Sequence, residues 1–229
     1  MFLFVLIAFT AMYFTFAGIT TLLTTRVFPA LNIGAAVDTR PLRDGQLQRE
    51  ITRSLVSILI FAIYGLITYK LWQAGYLQID IRAPWLRVSL EMVVLFLWNE
   101  LHFYCCHRVL HTRWLYRHVH RIHHESVVPT PFSTYSFHWF EATLLGSVMM
   151  LPMLFHTFSL AALVSLPVLS ILFNTIGHAN YNVFAKKSSA LYSASVEHSM
   201  HHRRVSGNYG FYLPMLDRWA GTALSKDSR

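Results

Sequence analysis

The chain has 229 residues, 54% of them hydrophobic and only 13% charged, with a net charge of +8. Soluble domains carry about a quarter charged residues, so membrane residence is the first reading. The basic residues flank apolar runs and form no polar domain of their own, which argues against a nucleic-acid binder. The only cysteines are the neighbours Cys105 and Cys106, which imply no disulfide framework.

Residues 1–25 carry no charge and have the length of a membrane-spanning helix, about twenty residues. They lack the basic start of a cleaved signal peptide, so they read as a span. Residues 26–53 are polar and mixed in charge and read as a loop. Residues 54–75 form a second span, with Lys70 near one end and able to snorkel. Residues 85–106 form a third, interrupted by Glu91, for which Lys70 is a candidate partner. Residues 142–185 contain no Lys, Arg, Asp or Glu and are long enough for a hairpin of two spans turning near 156–159. The remainder is polar and basic. The sequence therefore predicts an all-α integral membrane protein of about five spanning or hairpin helices. Residues 1–99 hold the first spans and their loop, 100–222 the histidines and the hairpin, and 223–229 a polar tail. With the histidine-rich stretch on one side, only Lys70, Arg82 and Arg87 of the nineteen Lys and Arg fall on the other. The positive-inside rule then makes the histidine-rich cap and the C-terminus cytoplasmic and the N-terminus external.

Thirteen histidines are more than a chain of this size usually carries. His107 and His111 are four apart and share a helix face. His120, His123 and His124 form H-x-x-H-H, and His198, His201 and His202 repeat it. Imidazole suits iron, zinc and copper. Eight or more ligands exceed one tetrahedral zinc, and "HRVLH" lacks the glutamate of a zinc-protease H-E-x-x-H motif. Two metal ions sharing eight to ten imidazoles fit the count. On one unbroken helix His107 and His111 would point away from His120, His123 and His124, so a bend is expected between His111 and His120. His118 faces away from His120 and reads as a surface residue. His102 and His156 read as ordinary polar histidines.

These residues resemble the fatty acid hydroxylase/sterol desaturase superfamily of membrane di-iron enzymes, from Glu100 to Thr222. "HRVLH", "HRIHH" and "HSMHH" look like its three histidine boxes, and "HANYN" like its additional ligand segment. "VPTPFSTYSFHWFE" and "GNYGFYLPMLDRWAGT" resemble segments of sterol ring desaturases of the lathosterol oxidase type. The resemblance implies His107, His111, His120, His123, His124, His178, His198, His201 and His202 as metal ligands, with His138 as a tenth. Asn182 stands where some members have a further histidine and would bind through a water. Glu100, Glu141 and Asp217 would support the ligands, Glu100 by accepting a hydrogen bond from a ligand imidazole. Tyr104 and Tyr181 read as interfacial tyrosines. The implied protein is an oxygen-dependent lipid hydroxylase or desaturase with two iron ions, using O2 as co-substrate. The lipid would be a sterol, a fatty acid or a relative. No Gly-rich dinucleotide fingerprint occurs, so electrons would come from a separate ferredoxin or b-type cytochrome. The rival reading is a non-enzymatic membrane metal protein such as a carrier, which is expected to place ligands within its spans.

Overall fold

The computed structural model describes residues 1–183 and 190–224. Lys186, Lys187 and the expected tail from residue 225 onward lie outside the described residues.

α1 (Phe2–Leu22) is uncharged throughout. It widens into a π turn at Leu23–Val27 and ends in α2 (Phe28–Ala30), where Pro29 has no amide to give to the carbonyl four residues back. β1 (Ala35–Ala36) lies in the following loop. α3 (Gln46–Gln73) starts after Gly45, whose φ of 66° turns the chain into the helix. The loop expected over 26–53 thus ends early, and the last charged residues before the second span are helical. β2 (Ile79–Asp80) leads to α4 (Trp85–Leu110). α5 (Arg113–His118) is followed by 3₁₀ turns at His120–Glu125 and Pro131–Tyr135. α6 (Trp139–Gly146), α7 (Met150–Met153), β3 (Phe158–Ser159) and α8 (Leu160–Gly177) form the hairpin. β4 (Tyr181–Asn182), α9 (Ala190–Arg204) and α10 (Met215–Trp219) complete the described chain. The protein is an all-α membrane protein, as its composition predicts.

Three helices, Phe2–Ala30, Gln46–Gln73 and Leu160–Gly177, are long and apolar enough to cross a membrane. α4 has the length, about 39 Å at 1.5 Å per residue. The first arm of the hairpin does not: Trp139–Met153 reaches about 22 Å against a hydrocarbon core of about 30 Å.

The helices share one core across the expected boundary at residue 99. Tyr13 and Ile58 pack with Tyr135, Phe137, Ala142 and Ile171. At one end, Leu77, Leu95, Met153 and Phe158 form a second cluster. There β2 pairs parallel with β3, Ile79 opposite Phe158. Glu91 accepts from the Ser159 amide at 2.7 Å, from His156 Nε2 at 3.1 Å and from Arg87 Nε at 2.9 Å. The partner of Glu91 is therefore Arg87, one helical turn away, not Lys70. Exposed aromatics mark both ends: Trp72, Tyr76, Trp85 and Phe155 here, and Trp114, Trp139 and Trp219 at the histidine end. Such belts are what lipid–water interfaces select.

Close approach of α3 and α6 depends on Gly146, where a Cβ would meet Tyr64 Cδ2 at 2.8 Å and Phe61 Cδ1 at 3.3 Å. Gly146→Val is expected to cost about 1–3 kcal/mol by overpacking. It should lower the thermal unfolding midpoint of the detergent-solubilised protein. An unchanged midpoint would show that the two helices do not meet this closely.

Candidate metal centre

The ends of several helices deliver nine imidazoles to one place. α4 ends at His107 and His111, and the chain bends there as expected. It bends a second time at Val119, so His120, His123 and His124 come from a tight 3₁₀ turn rather than a second helix. α8 ends at His178, and α9 carries His198, His201 and His202. All but His111, which is half-buried, are shut off from solvent.

The nine sort into two groups, and the groups cut across the boxes. His107, His111, His120, His124 and His201 form one. Their Nε2 atoms close a five-membered ring: His107 to His120 3.1 Å, His120 to His124 3.1 Å, His124 to His201 3.2 Å, His201 to His111 3.2 Å and His111 to His107 3.2 Å. His123, His178, His198 and His202 form the other, with Nε2 separations of 3.4, 2.9 and 3.1 Å along the series 123, 178, 198, 202. At the end of α4 and on α9, residues four apart share a helix face, so 107 stays with 111 and 198 with 202. On the 3₁₀ turn His120 stays with His124 while His123 crosses to the opposite group, and His201 of α9 crosses the other way. Ring packing of His124 on His202, centroids 4.7 Å apart, joins the two groups.

Outer partners fix which nitrogen faces inward. His107 Nδ1 donates to the Tyr209 carbonyl at 2.7 Å, His201 Nδ1 to Gly207 at 2.7 Å and His178 Nδ1 to Asn174 at 2.8 Å. His120 Nδ1 meets Glu141 Oε1 at 2.8 Å. A neutral imidazole has one N–H, so Nε2 of His107 and of His201 is a bare lone pair. His111 Nε2 sits 3.2 Å from both and can offer at most one N–H between them. Lone pairs facing each other at these distances repel unless a cation lies among them. Nitrogens bound to one ion at about 2.1 Å and at right angles would stand about 3.0 Å apart, close to the spacings seen. The donor set therefore fits a metal ion in each group.

Burial, aided by the neighbouring imidazoles, keeps these rings uncharged. It lowers His111 to about 3 and His178 and His201 to about 4, and it holds His107, His120, His123, His124, His198 and His202 well below the usual 6.5. Burial also raises the Glu141 carboxyl well above its usual range.

The supporting carboxylates divide. Glu141 meets a histidine directly. Asp217 acts through backbone: it accepts from the Tyr209 and Gly210 amides at 2.8 and 2.6 Å, and so holds the loop whose Tyr209 carbonyl receives His107. Glu100 does not reach an imidazole. Its Oε2 accepts from the Tyr212 and Leu213 amides, both at 2.9 Å, and ties the same closing loop to α4. His138 is in neither group, and its Nδ1 caps α6 by accepting from the Phe140 amide at 3.2 Å. Asn182 lies on β4 opposite Ala35. Tyr104 reaches Thr222 Oγ1 at 3.2 Å. Tyr181 is buried and donates to the Ile33 carbonyl at 2.8 Å, so it is no interfacial residue. His118 is exposed, its Nδ1 on the Trp114 carbonyl at 2.9 Å.

Beneath the histidines a cavity of about 630 Å³ runs between α1, α3, α4, the hairpin arm and α8. No Asp, Glu, Lys or Arg among the described residues lines it. Phe103, Phe137 and Phe211 line it and pack on His107, His123 and His198, with centroids 4.9, 5.0 and 5.2 Å apart.

The sequence profile of the fatty acid hydroxylase family matches residues 92–222. The chain belongs to the fatty acid hydroxylase family. Within the curated relatives of this family member, lathosterol oxidase of Rattus norvegicus is 25% identical over 183 residues, 77% of this chain and 61% of that protein. A very-long-chain aldehyde decarbonylase of Oryza sativa subsp. indica is 33% identical over 150 residues, 63% of this chain and 56% of that protein. Methylsterol monooxygenase 2-2 of Arabidopsis thaliana is 29% identical over 163 residues, 69% of this chain and 61% of that protein. The chain spans about three fifths of the length of these relatives. No solved structure matches it.

Neutral, buried histidines carry a pH signature. Unfolded, each takes up its proton near 6.5; folded, only well below that. Between the two values the unfolded chain holds more protons, so stability increases with pH. The metal-free protein is expected to be fully stable above pH 6.5, the unfolded value, and to weaken as pH falls from there through 4 towards 3. Thermal midpoints measured across that range would test this, and a flat profile would contradict it.

Proposed function

We propose that the chain is an oxygen-dependent lipid hydroxylase or desaturase, each histidine group holding one iron ion. The observation that carries this reading is the closed ring of five Nε2 atoms, into which the lone pairs of His107 and His201 face. Two irons bound there would supply dioxygen activation and removal of hydrogen from an unactivated C–H bond, chemistry that side chains do not perform alone.

The chain's own residues do the rest. The Tyr209, Gly207 and Asn174 carbonyls hold His107, His201 and His178 with Nε2 inward. Glu141 orients His120, and a cation at Nε2 favours the carboxylate form of Glu141 despite its burial. Phe103, Phe137 and Phe211 keep water from the histidines on the lipid side. The uncharged cavity takes an apolar substrate, a sterol, a fatty acid or a related lipid. Relatives named for sterols and for very-long-chain aldehydes support that class. Exposed Arg108, Arg113, Arg117, Arg121, Arg203 and Arg204 surround the histidine end. They suit an acidic electron donor, a ferredoxin or b-type cytochrome, docking from the cytoplasm.

Iron-loaded protein is expected to hold about two irons per chain, one for each histidine group. With reductant and lipid it should consume O2, giving product with one more oxygen or two fewer hydrogens. Zinc alone, with no oxygen uptake after iron loading, would sink the proposal and favour a metal carrier. Separately, His120→Ala should lower metal content and abolish turnover, while His118→Ala should change neither. Equal losses at both positions would refute the assignment of His120.

A further inference from the structure

α3 begins as a polar helix inside a membrane protein. Gln46, Glu50 and Ser54, four residues apart, share one face, with exposures of only 4%, 1% and 0%. That face meets the segment leading out of the turn at His120–Glu125. Glu50 Oε1 accepts from Ser126 Oγ at 2.7 Å and from Gln46 Nε2 at 2.7 Å, and Oε2 accepts from Thr130 Oγ1. Gln46 also donates to the Val128 carbonyl at 2.9 Å, and Ser54 to the Phe132 carbonyl at 3.1 Å. Arg53 donates to the Ile122 carbonyl at 3.2 Å and pairs with Glu125 at 2.8 Å.

A buried carboxylate is costly unless its oxygens are satisfied. Here each is, by groups on this segment or bonded to it. The segment cannot fix itself: Pro129 and Pro131 have no amides, and the turn before them is a single 3₁₀ piece. Its position is therefore set from outside. We infer that Glu50 is a positioning residue for both histidine groups: through Ser126 and Thr130 it anchors the turn that sends His124 to one group and His123 to the other. This rests on the metal reading of those groups.

Cobalt(II) binding to the full-length, detergent-solubilised protein tests it. Glu50→Ala should weaken cobalt affinity about 10- to 100-fold and shift its visible absorption bands, and Glu50→Gln, which keeps an acceptor, should restore both. Ser126→Ala, which removes one donor, should move both in the same direction by less. Glu91→Ala is the control. Glu91 is also a buried carboxylate with three donors, but at the opposite end. Its loss should lower thermal stability and leave the cobalt bands in place. Where the wild type binds cobalt, unchanged binding in Glu50→Ala, or an equal shift in Glu91→Ala, overturns the inference. Deuterium exchange at residues 122–128 separates it from the metal reading. Faster exchange in Glu50→Ala alone supports the anchor even if the wild type binds no cobalt. Unchanged exchange overturns the anchor while leaving the metal reading standing.

Discussion

The structure turns on one constraint: nine neutral imidazoles must bring Nε2 toward Nε2, where inward lone pairs such as those of His107 and His201 repel without a cation. Water would relieve the repulsion, yet eight of the nine rings are cut off from it. The convergence is held instead by what lies behind each ring. At the C-terminal end of α8 one carbonyl serves twice, since Asn174 O accepts from both the His178 amide and His178 Nδ1. The loop after α9 supplies the Gly207 and Tyr209 carbonyls in the same way. Asp217 and Glu100 then bind that loop from either side, each through two backbone amides. The closing segment is thus the outer wall of the histidine site.

Backing is uneven between the two groups. In the five-histidine group, His107, His201 and His120 have oxygen partners at Nδ1. In the four-histidine group only His178 does, because Nδ1 of His123, His198 and His202 lacks a hydrogen-bond partner. A carbonyl of Ser136 lies near His123 but outside hydrogen-bond geometry. Those three rings are fixed by packing, His123 against Phe137 and His198 against Phe211. A hydrogen-bonded ring is held in one tautomer, whereas a packed ring is free to take either. The four-histidine group therefore depends more on the aromatic layer shared with the lipid cavity.

Three of the expected spans and the gathering of the histidines were readable from the sequence because both follow from one-dimensional rules. Charge-free runs of the right length announce α1 and α8, and four-residue spacing pairs His107 with His111 and His198 with His202. The same rule does not reach His120, His123 and His124, which lie on a 3₁₀ turn, so the partition into two groups shows only in the fold. Glu100 misled because a carboxylate seven residues before a ligand lies near it along the helix, and only the folded loop shows that backbone amides claim it first. His138 misled because a histidine before a helix serves as a cap as readily as a ligand. Gln46 and Glu50 were hidden by charge: a polar stretch read as loop is the buried end of a helix, betrayed only by its spacing of four.

The two ends of the molecule have different tasks, and the helices separate them. Glu91 closes the far end, pairing with Arg87 and accepting a hydrogen bond from His156. No Asp, Glu, Lys or Arg among the described residues lines the cavity above them, so an apolar molecule there would strip water from none of these charged side chains. Phe103, Phe137 and Phe211 end the cavity at the histidines. On the other side of the same histidines stand exposed arginines facing the aqueous phase. On the proposed function the site meets an apolar molecule and a soluble partner, which it can do only at the boundary between the two media. This explains why the histidines come from helix ends rather than from the middle of the spans. It also explains why irregular turns and loops, which lipid would not tolerate, carry so many of their supporting carbonyls.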